Sequence, residues 1–249
     1  MMSGRGCVPG VVVGCLIFGV WITGAGQGAG PDAWRPAAGT RRGVGPDGTI
    51  RVRDGAGQGN VIQLEYAIPK PTMAKAGAAD GGRAVVEFPG APLTGAPGKP
   101  ILPVVPCRVV LPPQHGLDKI EVVVGDAKTL PGTHKLDFGK QPVPISAGGA
   151  VQPARPDPEV YGADDPWPRE RYTSIGVQHK RGVGMLIVNL HPIVYRPKSG
   201  VVSYYPTMRL KVTTKPAEQG GRLRYRPGRV GDMVREVDNP AMMARYKAR

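Results

Sequence analysis

The residues best suited to nucleophilic or metal chemistry in this 249-residue chain are three cysteines and four histidines. A thiol–imidazole hydrolase needs an exposed cysteine within hydrogen-bond reach of a histidine. Cys7 and Cys15 fall in an N-terminal segment that reads as an export signal, which leaves Cys107. That residue lies inside the apolar run Val104 to Leu111, where a buried, inert thiol is the expected state. His115, His134, His179 and His191 have no spacing that nominates one of them as its partner, and His191, just before Pro192, reads as a structural hydrogen-bonder. Zinc sites are built from pairs such as Cys-x-x-Cys or His-x-x-x-His, and neither pair occurs. The nucleophile elbow Gly-x-Ser-x-Gly is absent too. Asp164-Asp165 beside Pro166 reads as a turn, and Asp157 and Glu159 sit in a proline-rich loop. Gly55-Ala56-Gly57-Gln58-Gly59 looks like a phosphate loop but leads into a strand, so it lacks the helix N-terminus that phosphate binding requires. These residues describe a chain that is not an enzyme, with no metal and no cofactor.

The elements around them read as β structure. Residues 1–30 carry the marks of a signal peptide. Arg5 supplies the positive region, Val11 to Ile22 the apolar stretch, and Thr23-Gly24-Ala25-Gly26 the small residues of a cleavage site. About a dozen apolar residues are short for a ~30 Å hydrocarbon core, so cleavage near residues 25–30 is expected and no lasting membrane span. Secretion to the periplasm or cell surface follows. One remaining thiol cannot form an internal disulfide, so the exported domain is held by packing alone. Residues 31–59 are rich in glycine and poor in large apolar side chains, and read as a disordered lead.

From Asn60 the chain alternates short apolar runs with turn chemistry. The runs are Val61 to Tyr66, Arg83 to Phe88, Ile101 to Leu111 and Lys119 to Val124. After a weaker stretch and the loop Gln152 to Arg169 come Met185 to Leu190, apolar on both faces, then Val201 to Tyr205 and Met208 to Val212. Tyr161, Trp167 and Tyr172 are expected to pin the proline-rich loop onto the body. This spacing predicts an all-β fold over 60–214, an antiparallel, jelly-roll-like β-sandwich. Beyond it, Val230 to Lys247 shows roughly helical apolar spacing interrupted at Asn239-Pro240, which predicts a short helical tail.

The formal charge is +14, with basic residues dispersed and seldom interleaved with aromatics, a pattern that argues against nucleic acid. The densest basic segment is the tail from Lys211 to Arg249, where Arg222, Arg224, Arg226 and Arg229 alternate with turn residues. A solvated linker, a patch for an acidic partner and a phosphate-contacting arm all fit that composition.

Two stretches resemble the N-terminal propeptide domain of gingipain-type cysteine peptidase precursors. One is Gly98-Lys99-Pro100-Ile101-Leu102-Pro103-Val104-Val105, continuing through Cys107 to Pro113. The other runs from Tyr161 to Thr214 and includes Arg181-Gly182 and the His-Pro-x-x-Tyr-x-Pro segment His191 to Pro197. The tail with Asn239-Pro240 is similar to the connection that leads into the peptidase in longer precursors. The resemblance implies an exported β-sandwich that assists folding of a cysteine peptidase and blocks its cleft until proteolysis releases it. It makes the catalytic domain of a gingipain-like peptidase the expected partner, and 215–249 a basic linker toward a peptidase domain missing from a truncated frame. Arg226 and Arg229 are then candidates for contacting the protease, and Arg245 and Arg249 for processing sites. The rival expectation is a freestanding secreted sandwich that binds glycans or cell-surface components through Tyr161, Trp167, Tyr204 and Tyr205.

Overall fold

The computed structural model describes residues 50–55, 59–75, 82–141, 155–217 and 233–247. Among them the first half forms β1 (Arg51–Gly55), β2 (Val61–Ala67), β3 (Thr72–Lys75), β4 (Ala84–Glu87), β5 (Leu93–Thr94), β6 (Leu102–Pro103), β7 (Val105–Val110), β8 (His115–Val124) and β9 (Lys128–Thr129). The second half adds helix α1 (Pro158–Gly162), β10 (Tyr172–Lys180), β11 (Val183–Leu190), β12 (Ile193–Arg196), β13 (Val201–Tyr204) and β14 (Thr207–Pro216). A 3-10 turn, Pro240–Met243, runs into helix α2 (Ala244–Lys247).

The main sheet has the order β1-β2-β14-β8, and a second has the order β10-β11-β7. β12-β13-β9 and two hairpins, β3-β4 and β5-β6, complete the set, with every named strand pair antiparallel. Strict alternation builds the main sheet. Ile62, Leu64 and Tyr66 of β2 stand directly opposite Val212, Leu210 and Met208 of β14, and all six are buried. They meet Cys107, Val109, Leu186, Val188 and Leu190 from the second sheet in one shared core. The fold is the antiparallel sandwich that the strand spacing predicts.

β11 is apolar on both faces for a physical reason. Leu186, Val188 and Leu190 point into the main core, while Val183 and Met185 join a second cluster on the opposite side. Its hairpin with β10 is closed by Arg181 and Gly182, at φ +53° and +81°, between the paired residues Lys180 and Val183. Positive φ at both central positions gives the turn a twist that matches the strands it joins.

Two expectations need correction. Residues 51–55 belong to the sandwich and not to the lead, because β1 pairs along its length with β2 and buries Val52 opposite Tyr66. The linker assignment for 215–249 fails at both ends. Its first residues complete β14, and 233–247 packs against β7 and β11 through Met233, Val237, Met243 and Tyr246. These tail residues are buried because they cover the apolar sheet positions Val110, Val183 and Met185.

β1 also carries a titratable residue on its core-facing side. Asp54 lies opposite Leu64, two residues from Val52, and burial pushes its carboxyl up to about 6. The folded state therefore binds this proton more tightly than the unfolded chain, whose carboxyl titrates near pH ~4. Stability from this group is complete below about pH 4 and is lost as pH rises through about 6. Asp54→Asn is expected to flatten that slope and raise stability at pH 7 by about 1–2 kcal/mol after solvent screening. Urea midpoints of both proteins between pH 4 and pH 8 check it.

Candidate functional site

Cys107 offers no nucleophile. It is wholly buried, its Sγ lies 3.4 Å from the Val105 carbonyl, and burial pushes the thiol pKa well up. Three of the four histidines are engaged elsewhere. His115 Nδ1 lies 3.0 Å from the Pro113 carbonyl, His134 Nε2 2.9 Å from that of Pro131, and His191 Nε2 2.8 Å from Thr173 Oγ1. Burial, and then the nearby Arg171 charge, lower the pKa of His191. Among the described residues there is no group of three or more metal-ligating side chains, and no helix long and apolar enough to cross a membrane.

The aromatic loop is pinned to the body. Asp157 caps α1 through its Oδ1, which accepts from the Glu159 and Val160 amides, and its other oxygen pairs with Lys99. Tyr161 follows. Its hydroxyl donates to the Leu136 and Asp137 carbonyls at 3.1 and 3.2 Å, and its ring meets Tyr195 edge-on at 6.4 Å. A cavity of about 260 Å³ opens beside Lys99, Glu159, Trp167 and Arg169. The Lys99 ammonium stands 5.6 Å from the Trp167 ring centroid, and the Arg171 guanidinium 5.3 Å from that of Tyr205. Tyr204 is buried in the core. The four aromatics named for a glycan platform therefore do not all face solvent, because the core needs one of them and the loop anchor another.

A network of buried polar groups lies where the tail meets β7. β7 ends the β10-β11-β7 sheet, so among the described residues one row of its backbone groups has no strand to pair with. Asp238 and Asn239 take the place of one. The Asp238 amide donates to the Arg108 carbonyl at 2.9 Å, and the Arg108 amide donates back to Asp238 Oδ2 at 2.8 Å. Asn239 Oδ1 accepts from the Val110 amide and its Nδ2 donates to the Val110 carbonyl, both at 2.8 Å. Further along the tail, the Tyr246 hydroxyl donates to the Leu111 carbonyl at 2.8 Å. From the opposite side, Tyr66 of the main sheet donates its hydroxyl to Asp238 Oδ2 at 3.1 Å. Asp238 and Asn239 are 2% and 1% exposed, so their polar atoms depend on partners within the protein. Asn239 pairs with both Val110 groups because an amide carries a donor and an acceptor side by side, the same pair that a peptide group presents.

The arginines are placed unevenly. Arg226, Arg229 and Arg249 lie outside the described residues. Arg245 is exposed on α2, its guanidinium 4.0 Å from Met242 Sδ. Asp238, Asn239 and Tyr66, which hold the tail, were not singled out from the sequence. The available signal was Asn239-Pro240, which reads as a helix start, while the structure also uses its side chain 129 residues away in sequence.

No family model and no curated protein matches the chain. Solved structures do. A chain in the complex of Porphyromonas gingivalis RgpB pro- and mature domains superposes with a TM-score of 0.58 at 17% identity, over 75% of this chain and 95% of that one. A chain in the structure addressing zymogenic latency of gingipain K, also from Porphyromonas gingivalis, gives 0.56 at 17% identity, over 74% and 99%. This is a gingipain-propeptide-like fold. The near-complete coverage of both matched chains means that the likeness spans the whole of those domains and not one shared hairpin. At 17% identity the likeness is one of architecture, and residue roles in this propeptide-like domain rest on its own geometry.

Proposed function

We propose that this chain is an exported, non-catalytic propeptide domain that keeps a gingipain-like cysteine endopeptidase latent and assists its folding. The observation that carries the proposal is the match over 95% and 99% of two chains, from a structure of RgpB pro- and mature domains in complex and from one concerned with gingipain K latency. The buried Cys107 fits a role without chemistry of its own. In this reading Arg226 and Arg229, in the basic connection between β14 and the docked tail, reach toward the peptidase. Arg245 and Arg249 are positions for processing, and α2 must unwind before Arg245 enters a cleft. Tethered to its enzyme, such a domain works at an effective concentration on the order of millimolar, so modest affinity suffices.

The test is a titration of purified residues 31–249 against gingipain-type peptidases, with residual peptide hydrolysis as the readout. Inhibition at nanomolar concentration is expected, which corresponds to about −12 kcal/mol of binding. Arg226→Ala combined with Arg229→Ala is expected to weaken it at least about 100-fold. Inhibition unchanged by the double substitution removes these arginines from the contact while the latency role stands. A folded sample that never inhibits, even in large excess, refutes the role itself.

A further inference from the structure

The tail residues 233–247 meet β7 and β11 through hydrogen bonds and apolar contacts of their own. We propose that the free edge of β7 and the outer face of β7 and β11 form a peptide-binding site whose occupant is residues 233–247 of this chain, and that the occupant stays bound after the connection 218–232 is cut. Two observations support it. The pairing at Arg108 and Val110 engages amide and carbonyl alike, as an added strand would, although side-chain atoms of Asp238 and Asn239 make every bond except the one from the Asp238 amide to the Arg108 carbonyl. Met233, Val237, Met243 and Tyr246 from the tail meet Val110, Val183 and Met185 from the sheet in a cluster separate from the main core.

The connection also holds Arg222, Arg224, Arg226 and Arg229, so an arginine-directed peptidase has several places to cut it. Such a cut leaves every contact named above intact. If the tail continues into a peptidase, as the proposed function has it, the same site keeps the two parts associated after that first cut. That consequence rests on the proposed function, whereas the binding site does not.

The experiment needs no gingipain-type peptidase, so its failure is distinct from failure of the latency reading. A recognition sequence for a site-specific protease is inserted within 218–232 of the exported chain, the purified protein is cut, and the products are separated by gel filtration. The tail fragment is expected to co-elute with a folded body at the monomer's volume and to exchange with added synthetic peptide 233–249. Asn239→Ala is expected to weaken retention at least about tenfold, releasing the fragment on the column while the uncut variant keeps its near-ultraviolet circular dichroism. A wild-type fragment that separates from the body, or a body that unfolds on cutting, overturns the proposal. Co-elution at twice the monomer's mass also overturns it, by showing that tails are exchanged between copies.

Discussion

Asn239→Ala is expected to lower the unfolding free energy by about 2–4 kcal/mol, read as a shift of the urea midpoint. The side-chain amide is the partner of both the Val110 amide and the Val110 carbonyl, each at 2.8 Å. Alanine leaves both groups beneath the tail without a partner, and an unmade buried hydrogen bond costs about 1–3 kcal/mol. The chain has one escape, which is to release the tail and let water reach the edge of β7. That route exposes Met233, Val237, Met243 and Tyr246, all now buried. The loss is therefore capped by the free energy of docking, and the cap has its own signature. If the tail lifts away, limited trypsin digestion at Arg245 accelerates in the variant while the sandwich stays protected. Asn239→Asp keeps the acceptor but loses the donor and adds a charge beside Asp238, so it is expected to destabilise as well. A neutral result for both substitutions would mean that the tail contributes nothing to stability.

Gly139→Ala is expected to cost at least about 3 kcal/mol or to prevent folding. A methyl group on Gly139 would overlap the carbonyl oxygens of Gly95 and Ala96, which are backbone atoms without a rotamer to escape into. The approach is close because two chain segments are stitched there. The Gly98 amide donates to the Gly139 carbonyl at 2.8 Å, and the Gly139 amide to the Lys99 carbonyl at 2.9 Å. Any outward shift of Gly139 breaks those bonds and moves Lys99, which holds Asp157 and faces Trp167. The substitution should thus loosen the aromatic loop before the main sheet. Intrinsic fluorescence, dominated by Trp167 when the signal segment and lead are absent, is expected to change below the main urea transition. Gly162→Ala is the control, because nothing lies within 4 Å of the added atom.

What the sequence made legible follows from how local each signal is. β2 and β14 carry Ile62, Leu64, Tyr66 and Met208, Leu210, Val212 at every second position, so alternation alone locates both strands and their buried face. β1 does not, because Arg51-Val52-Arg53-Asp54-Gly55 offers a single apolar side chain, and its identity as a strand depends on pairing with β2. The two-faced run of β11 announced a strand covered on both sides, yet nothing local identified the second cover. That cover is Met233, Val237, Met243 and Tyr246, whose spacing reads as an ordinary amphipathic helix. Asp238-Asn239-Pro240 has the composition of a turn, and turn residues are expected in water. Only the edge of β7, more than a hundred residues earlier, makes burial of that pair favourable. The resemblance in Gly98 to Pro113 and Tyr161 to Thr214 pointed to the fold because those stretches supply β7 and most of β10 to β14. The arginines proposed to meet a peptidase could not be read in the same way, since no strand pattern fixes their neighbourhood.

The proposed latency function requires this propeptide-like sandwich to bind a gingipain-type peptidase at its active-site cleft. The most direct measurement is the dissociation constant of purified residues 31–249 for such a catalytic domain, taken with the active site free and again after covalent blockade by a small substrate-like inhibitor. Nanomolar binding to the free enzyme, weakened at least about 100-fold by blockade, is the predicted result. Equal affinity for free and blocked enzyme, or no binding to either, would contradict it.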